Sequence, residues 1–461
     1  MKKVALTATV LGAFGLLAGC KTRTFNNTGS NVRQSNTAGG SALDVNDVSF
    51  LFPLPKTSEE MGGLLKVSQA GVDGKSLLPE EIFNQVKSKS TKLGLKFDSF
   101  RTQGGQIPIV AADYKAWRVI GFRFDPCANS TNHATMSNSA DLANCIFEMR
   151  LIAQPLQAAP STTFIEQEGR RRRTQGPDTF ATEDFSMHLI YAIPKDKQGE
   201  TLAALAQDLR NIKSTASVST SGLPLGIHPV MAQEGLGASG IYAKKIRIMI
   251  LKYMGGTKLT SVAVSGLKGE DKSWGFMAFP VNTNNQVVSE AITIPEILES
   301  ATSGKLVTSL NGCCTLSPHL SLPKPSMDDF LMLFRSTSDF INPDEFEGFG
   351  KENETDLRTG VTLASQLENP QERSQFQNNC NSCHLATPFR IKTGLALATD
   401  ASTFNRFKAP KGTTASVDGQ SVNSHFWNIR NFGYNSHQAG VSQRTANESA
   451  AVADLVSRIT P

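Results

Sequence analysis

Residues 380 to 384 read Cys-Asn-Ser-Cys-His, in a chain of 461 residues with seven cysteines and seven histidines. Two thiols two residues apart, with an imidazole directly after the second, suit three chemistries: thioether attachment of a porphyrin, ligation of a metal ion, and dithiol-disulfide exchange. On a helical turn, positions i, i+3 and i+4 share a face, so Cys380, Cys383 and His384 would address one object. A tetrahedral zinc site is poorly served. Adjacent Cys383 and His384 do not readily bind one ion together, and no second C-x-x-C or H-x-x-x-H pair completes four ligands. A thioredoxin-type dithiol requires a strand-to-helix setting, whereas the flanks here are polar and helical in pattern. The spacing therefore points to one covalently bound haem c. Cys380 and Cys383 would add to its vinyl groups, and His384 would be the proximal iron ligand.

Such attachment takes place after export, and the N-terminus carries an export signal independently. Met1-Lys2-Lys3 precedes an apolar run from Val4 to Ala18 that is too short to span a bilayer comfortably. Its end, Leu17-Ala18-Gly19-Cys20, resembles the lipobox of bacterial lipoproteins. That resemblance implies removal of residues 1–19 as a signal peptide and acylation of Cys20 at both its thiol and its new amino group, and several acyl chains anchor firmly where one does not. Lys21 is not Asp, so the resemblance implies no inner-membrane retention. The expected location is the outer membrane, facing the periplasm or the cell surface. Residues 20–44 are mostly Asn, Thr, Ser and Gly, the composition of a flexible tether reaching about 25 to 30 Å.

The remainder, in a chain that is 39% hydrophobic and 19% charged, is long enough for two cores. The formal charge is +5 and includes Lys2 and Lys3, too mild a surplus to indicate a nucleic-acid partner. The run "GRRRRTQGP" at 169–177 reads as a solvated loop. Four cysteines are left for disulfides in an oxidising compartment: Cys127, Cys145, Cys313 and Cys314. Cys127 to Cys145 would close a hairpin between "RVIGFRFDPC" and "CIFEMRLIAQP". Adjacent Cys313 and Cys314 would then bridge vicinally or stay reduced, and cross-pairing stays open.

The elements that must carry these residues predict an α+β chain. From 45 to 325, runs such as "WRVIGFRF", "SMHLIYAI", "KKIRIMILKY", "LTSVAVSGL" and "WGFMAFPV" read as mostly antiparallel strands, with helices at "LPEEIFNQVKS" and "TLAALAQDLRNIK". "GLGASG" at 235–240 matches a dinucleotide fingerprint formally. It reads instead as a flexible loop leading into the strand "IYAKKIRIMILKY", because the fingerprint needs a strand before it and a helix after it. The two prolines of "SLPKPSMDDF" mark a boundary near 325. Residues 326–461 are helical in pattern, with "LRTGVTLASQL", then a helix begun by Asn369, Pro370 and Glu372, and a terminal helix with Val452, Leu455, Val456 and Ile459 on one face.

With a helix before C-x-x-C-H, a long loop after it and a helix at the end, residues 355–461 resemble a monohaem c-type cytochrome domain. The resemblance implies a small all-α cytochrome c-like fold whose first and last helices cross beside the haem edge. It also implies a Met as sixth iron ligand, from which this chain departs, since its last Met is Met332. Only His425 and His437 follow His384, and His437 falls close to the place of the family's Met, so these two are the candidate distal ligands. An imidazole in place of a thioether favours ferric iron and a low potential. Arg390, Arg430 and Arg444 are candidates to pair with haem propionates. The expectation is a membrane-tethered carrier of single electrons with a redox protein partner. The alternative is a haem-containing ligand-binding, sensor or scaffold lipoprotein whose N-terminal β-rich domain binds a partner. Peroxidase-like activity would require an open sixth position.

Overall fold

Alternating runs of β-branched and aromatic residues favour extended backbone with a buried face, and in the computed structural model they build one antiparallel sheet. The structure describes residues 42–288 less 93–94, 96, 98–99, 102–107, 110, 160–161, 168–169, 176–178, 183–184 and 269–272. It further describes 292–293, 354–374, isolated positions between 386 and 399, 400–410, and 432–460 less 436. The strands in chain order are β1 (Ser49–Leu51), β2 (Phe100–Arg101), β3 (Pro108–Ile109), β4 (Trp117–Asp125), β5 (Glu148–Ala159), β6 (Thr162–Gln167), β7 (Arg170–Gln175), β8 (Thr179–Thr182), β9 (Phe185–Ala192), β10 (Leu259–Lys268), β11 (Ser273–Pro280) and β12 (Ile292–Thr293). Eight of them form a sheet in the order β1-β4-β5-β9-β10-β11-β12, with β8 beside β5. β2–β3 and β6–β7 are separate hairpins. A disulfide joins Cys127 to Cys145 across the connection between β4 and β5, with their Cα atoms 4.5 Å apart.

Helices α1 (Val45–Val48), α2 (Ser58–Gly63) and α3 (Glu80–Lys92) precede β2. Helices α4 (Gln198–Lys213), α5 (Pro229–Gln233) and α6 (Ile241–Tyr253) lie between β9 and β10. Phe83 of α3 packs edge-on against Trp117 of β4 at 5.9 Å, and Phe97 packs against Phe185 of β9 at 4.5 Å, so aromatic rings join this helix and its loop to the sheet. In the C-terminal part, α7 (Glu354–Glu368) is followed by the hairpin β13 (Phe432–Asn435) and β14 (Gln438–Val441) and by α8 (Gln443–Ile459), which is capped by Ser442. The boundary expected near 325 lies outside the described residues. No described helix is long and apolar enough to cross a membrane.

Three local expectations are corrected. "IYAKKIRIMILKY" is helix α6, not a strand. Its buried residues Tyr242, Ala243, Ile246, Met249, Ile250 and Tyr253 recur every three or four positions, and that helical period prevails over the β-branched content. The arginine run is strand β7, registered antiparallel to β6 with Arg172 opposite Ile165, and not a loop. Strand pairing runs through the backbone and tolerates a charged sequence at a two-stranded ribbon. Residues 370–372 after Asn369 form a turn, and 373–374 belong to no helix or strand, so no helix starts at Pro370. The Asn369 side chain accepts from the Gln371 N–H and donates to the Glu372 carboxylate, so the capping residues close a turn on themselves.

The C-terminal hairpin is locked to the sheet by Gln154 of β5, whose amide accepts from the Tyr434 N–H at 2.7 Å and donates to the Tyr434 carbonyl at 2.9 Å, across 280 residues of sequence. The Tyr434 hydroxyl, fully buried, donates to the Phe52 carbonyl at 2.7 Å. Replacing Gln154 with Leu strands two buried backbone groups at about 1 to 3 kcal/mol each. Urea unfolding of Gln154→Leu should show a loss of roughly 2 to 4 kcal/mol, and a loss below that of Tyr434→Phe would contradict the lock.

Candidate functional site

Cys380, Cys383 and His384, the expected attachment residues, lie outside the described residues, as do Cys20, Cys313, Cys314, His425 and Arg430. His437 is described. It stands exposed in the turn between β13 and β14, one residue before Gln438. Among the described residues no group of three or more His, Cys, Asp or Glu side chains is gathered to hold a metal ion. What the structure resolves of the site is its frame: the helix before the motif, the residues just after it, and the helix that ends the chain.

That frame is a buried polar network. Glu368, the last residue of α7, is fully buried; its carboxylate accepts from the Thr387 hydroxyl at 2.5 Å and from Arg390 Nε at 2.6 Å. Thr387 in turn accepts from the backbone N–H of Gln443 at 2.8 Å, in the first turn of α8, and Gln443 Oε1 accepts from Arg390. Asn447, one turn further, donates to the Glu368 carbonyl at 2.8 Å. Thus α7, the segment three to six residues past His384, and α8 converge on Glu368, the last through its backbone carbonyl and through Thr387 and Arg390. Arg444 donates to the Leu367 and Arg373 carbonyls and pairs with Glu448 at 2.6 Å. Glu448 also pairs with Arg123 of β4 at 2.6 Å, which ties the network to the sheet.

Two of the arginines that are candidates to pair with haem propionates are therefore engaged by the protein. Arg390 is paired with Glu368 and Arg444 with Glu448, and both are almost wholly buried. An unpaired guanidinium in that interior would be costly, which is why each has its own carboxylate. Glu368, Thr387, Gln443, Asn447 and Glu448 carry no sequence signal as partners, since their spacing spans three separate elements. The expected one-sided apolar stripe of α8 is also too narrow: Val452, Leu455 and Val456 are buried, but so is every residue from Gln443 to Ala453. Polar residues on the other faces are buried because they bond to α7 and β4.

"GLGASG" lacks the strand-to-helix setting of a dinucleotide fingerprint. A helix does follow it, contrary to the strand expected, but the preceding element is helix α5, and Gly237–Ser239 makes a 3-10 turn. The anion at the start of α6 belongs to the chain: Glu234 accepts the Tyr242 N–H at 3.0 Å. A Cβ at Gly240 would meet that carboxylate, which would have to swing aside.

No family model, curated protein or solved structure matches this chain.

Burial alone would push the Glu448 carboxyl up, but the guanidinium groups of Arg444 and Arg123, with their hydrogen bonds, overcome it and hold the group down at about 2. A carboxyl lowered on folding stabilises the fold fully above its unfolded value near 4.5 and loses that contribution as pH falls toward 2. Glu448→Gln should therefore be less stable near neutral pH by on the order of 3 kcal/mol. The gap to wild type should close between pH 4.5 and 2 in thermal melts across pH. A gap that does not change with pH would show that the ionised carboxylate is not what holds α8.

Proposed function

We propose that the chain is an exported lipoprotein bearing one covalently attached haem c, and that it carries single electrons. The observation that carries this reading is the donor set itself: Cys380, Cys383 and His384 supply two thiols and one imidazole at haem-attachment spacing, behind an export signal over residues 1–19 that is followed by Cys20. The donor chemistry fits the group, with the two thiols for thioether bonds and His384 for the iron. When bound, the haem supplies a one-electron couple. The small cytochrome c-like arrangement finds support in the pairing of α7 and α8, where Arg444 and Asn447 of α8 bind the end carbonyls of α7. Glu368 holds Thr387 and Arg390, just beyond the motif, at a fixed place relative to both helices. His437, at the exposed tip of a hairpin whose stem is locked to the sheet, is the preferred distal ligand, with His425 the other candidate. The anchor at Cys20 places the reading at a membrane, and a redox protein is the expected partner.

A second reading, a haem-containing sensor or scaffold, is favoured by one observation: α8 is bonded both to α7 and, through Glu448, to β4 of the N-terminal sheet. A change at the haem would then reach the sheet through one helix.

Full-length protein secreted with the haem maturation machinery should give a pyridine haemochrome of one haem per chain. Cys380→Ala with Cys383→Ala should abolish it. Visible spectra separate the readings: a low-spin spectrum unchanged by carbon monoxide supports the carrier, and rapid carbon monoxide binding supports the sensor. His437→Ala should convert the spectrum to high spin. Retention of low spin in both His437→Ala and His425→Ala would reject histidine as sixth ligand, and absence of any covalent haem would reject the whole reading.

A further inference from the structure

Six large apolar side chains are well exposed among the described residues: Val72, Leu223, Leu236, Ile241, Ile248 and Val288. Scattered singly, such residues are ordinary. Here Ile241 and Ile248 lie on α6 and Leu236 just before it, while Val72 is joined to its end by donating its N–H to the Met254 carbonyl. Ile241, Lys244, Ile248 and Lys252 follow each other at three- and four-residue steps, so they form one stripe on the side of α6 away from the core. Ile241 is 72% and Ile248 59% exposed. Lys244 and Lys245 meet no carboxylate among the described residues, and Lys252, although paired with Asp208 at 2.6 Å, keeps a half-exposed side chain. Branched aliphatic groups alternating with ammonium groups along one helix face are what the boundary of a bilayer accommodates, with the alkyl groups inward and the cations at the phosphates.

The stripe also lies close to the root of the N-terminal segment. Lys213, in the last turn of α4, donates to the Ala42 carbonyl at 2.8 Å and pairs with Asp44 and Asp47 at 2.8 and 2.6 Å, which fixes the start of the described chain. Asp208, five positions earlier on α4, holds Lys252 and Tyr253 at the end of α6. Five helical residues span about 7 Å. A flexible segment with the composition of residues 20–41 would reach about 25 Å, more than the roughly 20 Å length of a 13-residue helix. A chain anchored at Cys20 therefore has the length to lay α6 on the membrane.

We propose that the α6 stripe of Ile241, Lys244, Ile248 and Lys252, with Leu236, docks on an anionic phospholipid leaflet and sets the orientation of the folded part at the membrane. This rests on acylation at Cys20. A second copy of the chain fits the same stripe less well, because a protein partner would have to bury Lys244 and Lys245, which meet no carboxylate among the described residues.

The acylated full-length protein is bound to phosphatidylcholine-phosphatidylglycerol vesicles and its lysines are labelled with an acetylating reagent read by mass spectrometry. Lys244 and Lys245 should label roughly fivefold more slowly in wild type than in Ile241→Glu/Ile248→Glu on the same vesicles, with exposed Lys197, the residue before α4, as the unchanged reference. Both substituted positions are exposed, and circular dichroism checks that the variant folds. Equal labelling in wild type and variant would overturn the proposal, as would slow Lys244 labelling in vesicle-free protein that runs as a dimer. The anchor is read separately, by the acyl mass on Cys20. If that mass is missing, vesicle co-sedimentation of the unacylated chain decides: binding lost in the double variant sustains the stripe, and no binding in wild type removes it.

Discussion

Charge that is buried must be answered in place, and around α8 that constraint organises the molecule. Arg390, Arg444, Glu368 and Glu448 are almost wholly buried, and each would be strongly destabilising without its partner. Because the partners come from α7, from the residues after the motif, from α8 and from β4, the network forms only when all four are assembled. Such pairs add less net stability than their number suggests, since desolvation offsets most of the attraction. What they supply is selectivity: a slipped α8 would leave guanidinium groups unpaired in a dry interior, so the assembled arrangement stands well apart from its near competitors.

What could be read in advance follows from the range of each interaction. The strands at 117–125, 185–192, 259–268 and 273–280 and the helices at 80–92, 198–213 and 443–459 announce themselves through local periodicity, and the structure contains them. Helix α6 was illegible as a helix because its Ile-rich sequence satisfies both periods and only the packing of Tyr242, Ile246 and Met249 decides between them. The link from Gln154 to Tyr434, and that from Arg123 to Glu448 across 325 residues, leave no trace in either segment alone. The C-x-x-C-H run is the opposite case, since the reading proposed for it rests on five consecutive residues and uses no tertiary information.

The same division of range bears on the sixth ligand under the proposed reading. An iron-imidazole bond forms only at about 2 Å, so what matters for a candidate histidine is how its backbone is held. His437 sits in the turn of a hairpin whose β13 strand is fixed by Gln154 on both polar groups of Tyr434 and by the Tyr434 hydroxyl on Phe52. Phe432 is buried on the same strand, with the Arg123 guanidinium 5.8 Å from its ring centre. A locked stem with an exposed tip leaves the imidazole its side-chain rotations while its Cα stays put. The sheet, through residues far from the motif in sequence, would thereby set how near His437 comes to the iron. Under the proposed reading, a distal ligand delivered in this way would make the N-terminal sheet part of the haem site's construction, a physical reason for the two to be carried on one chain.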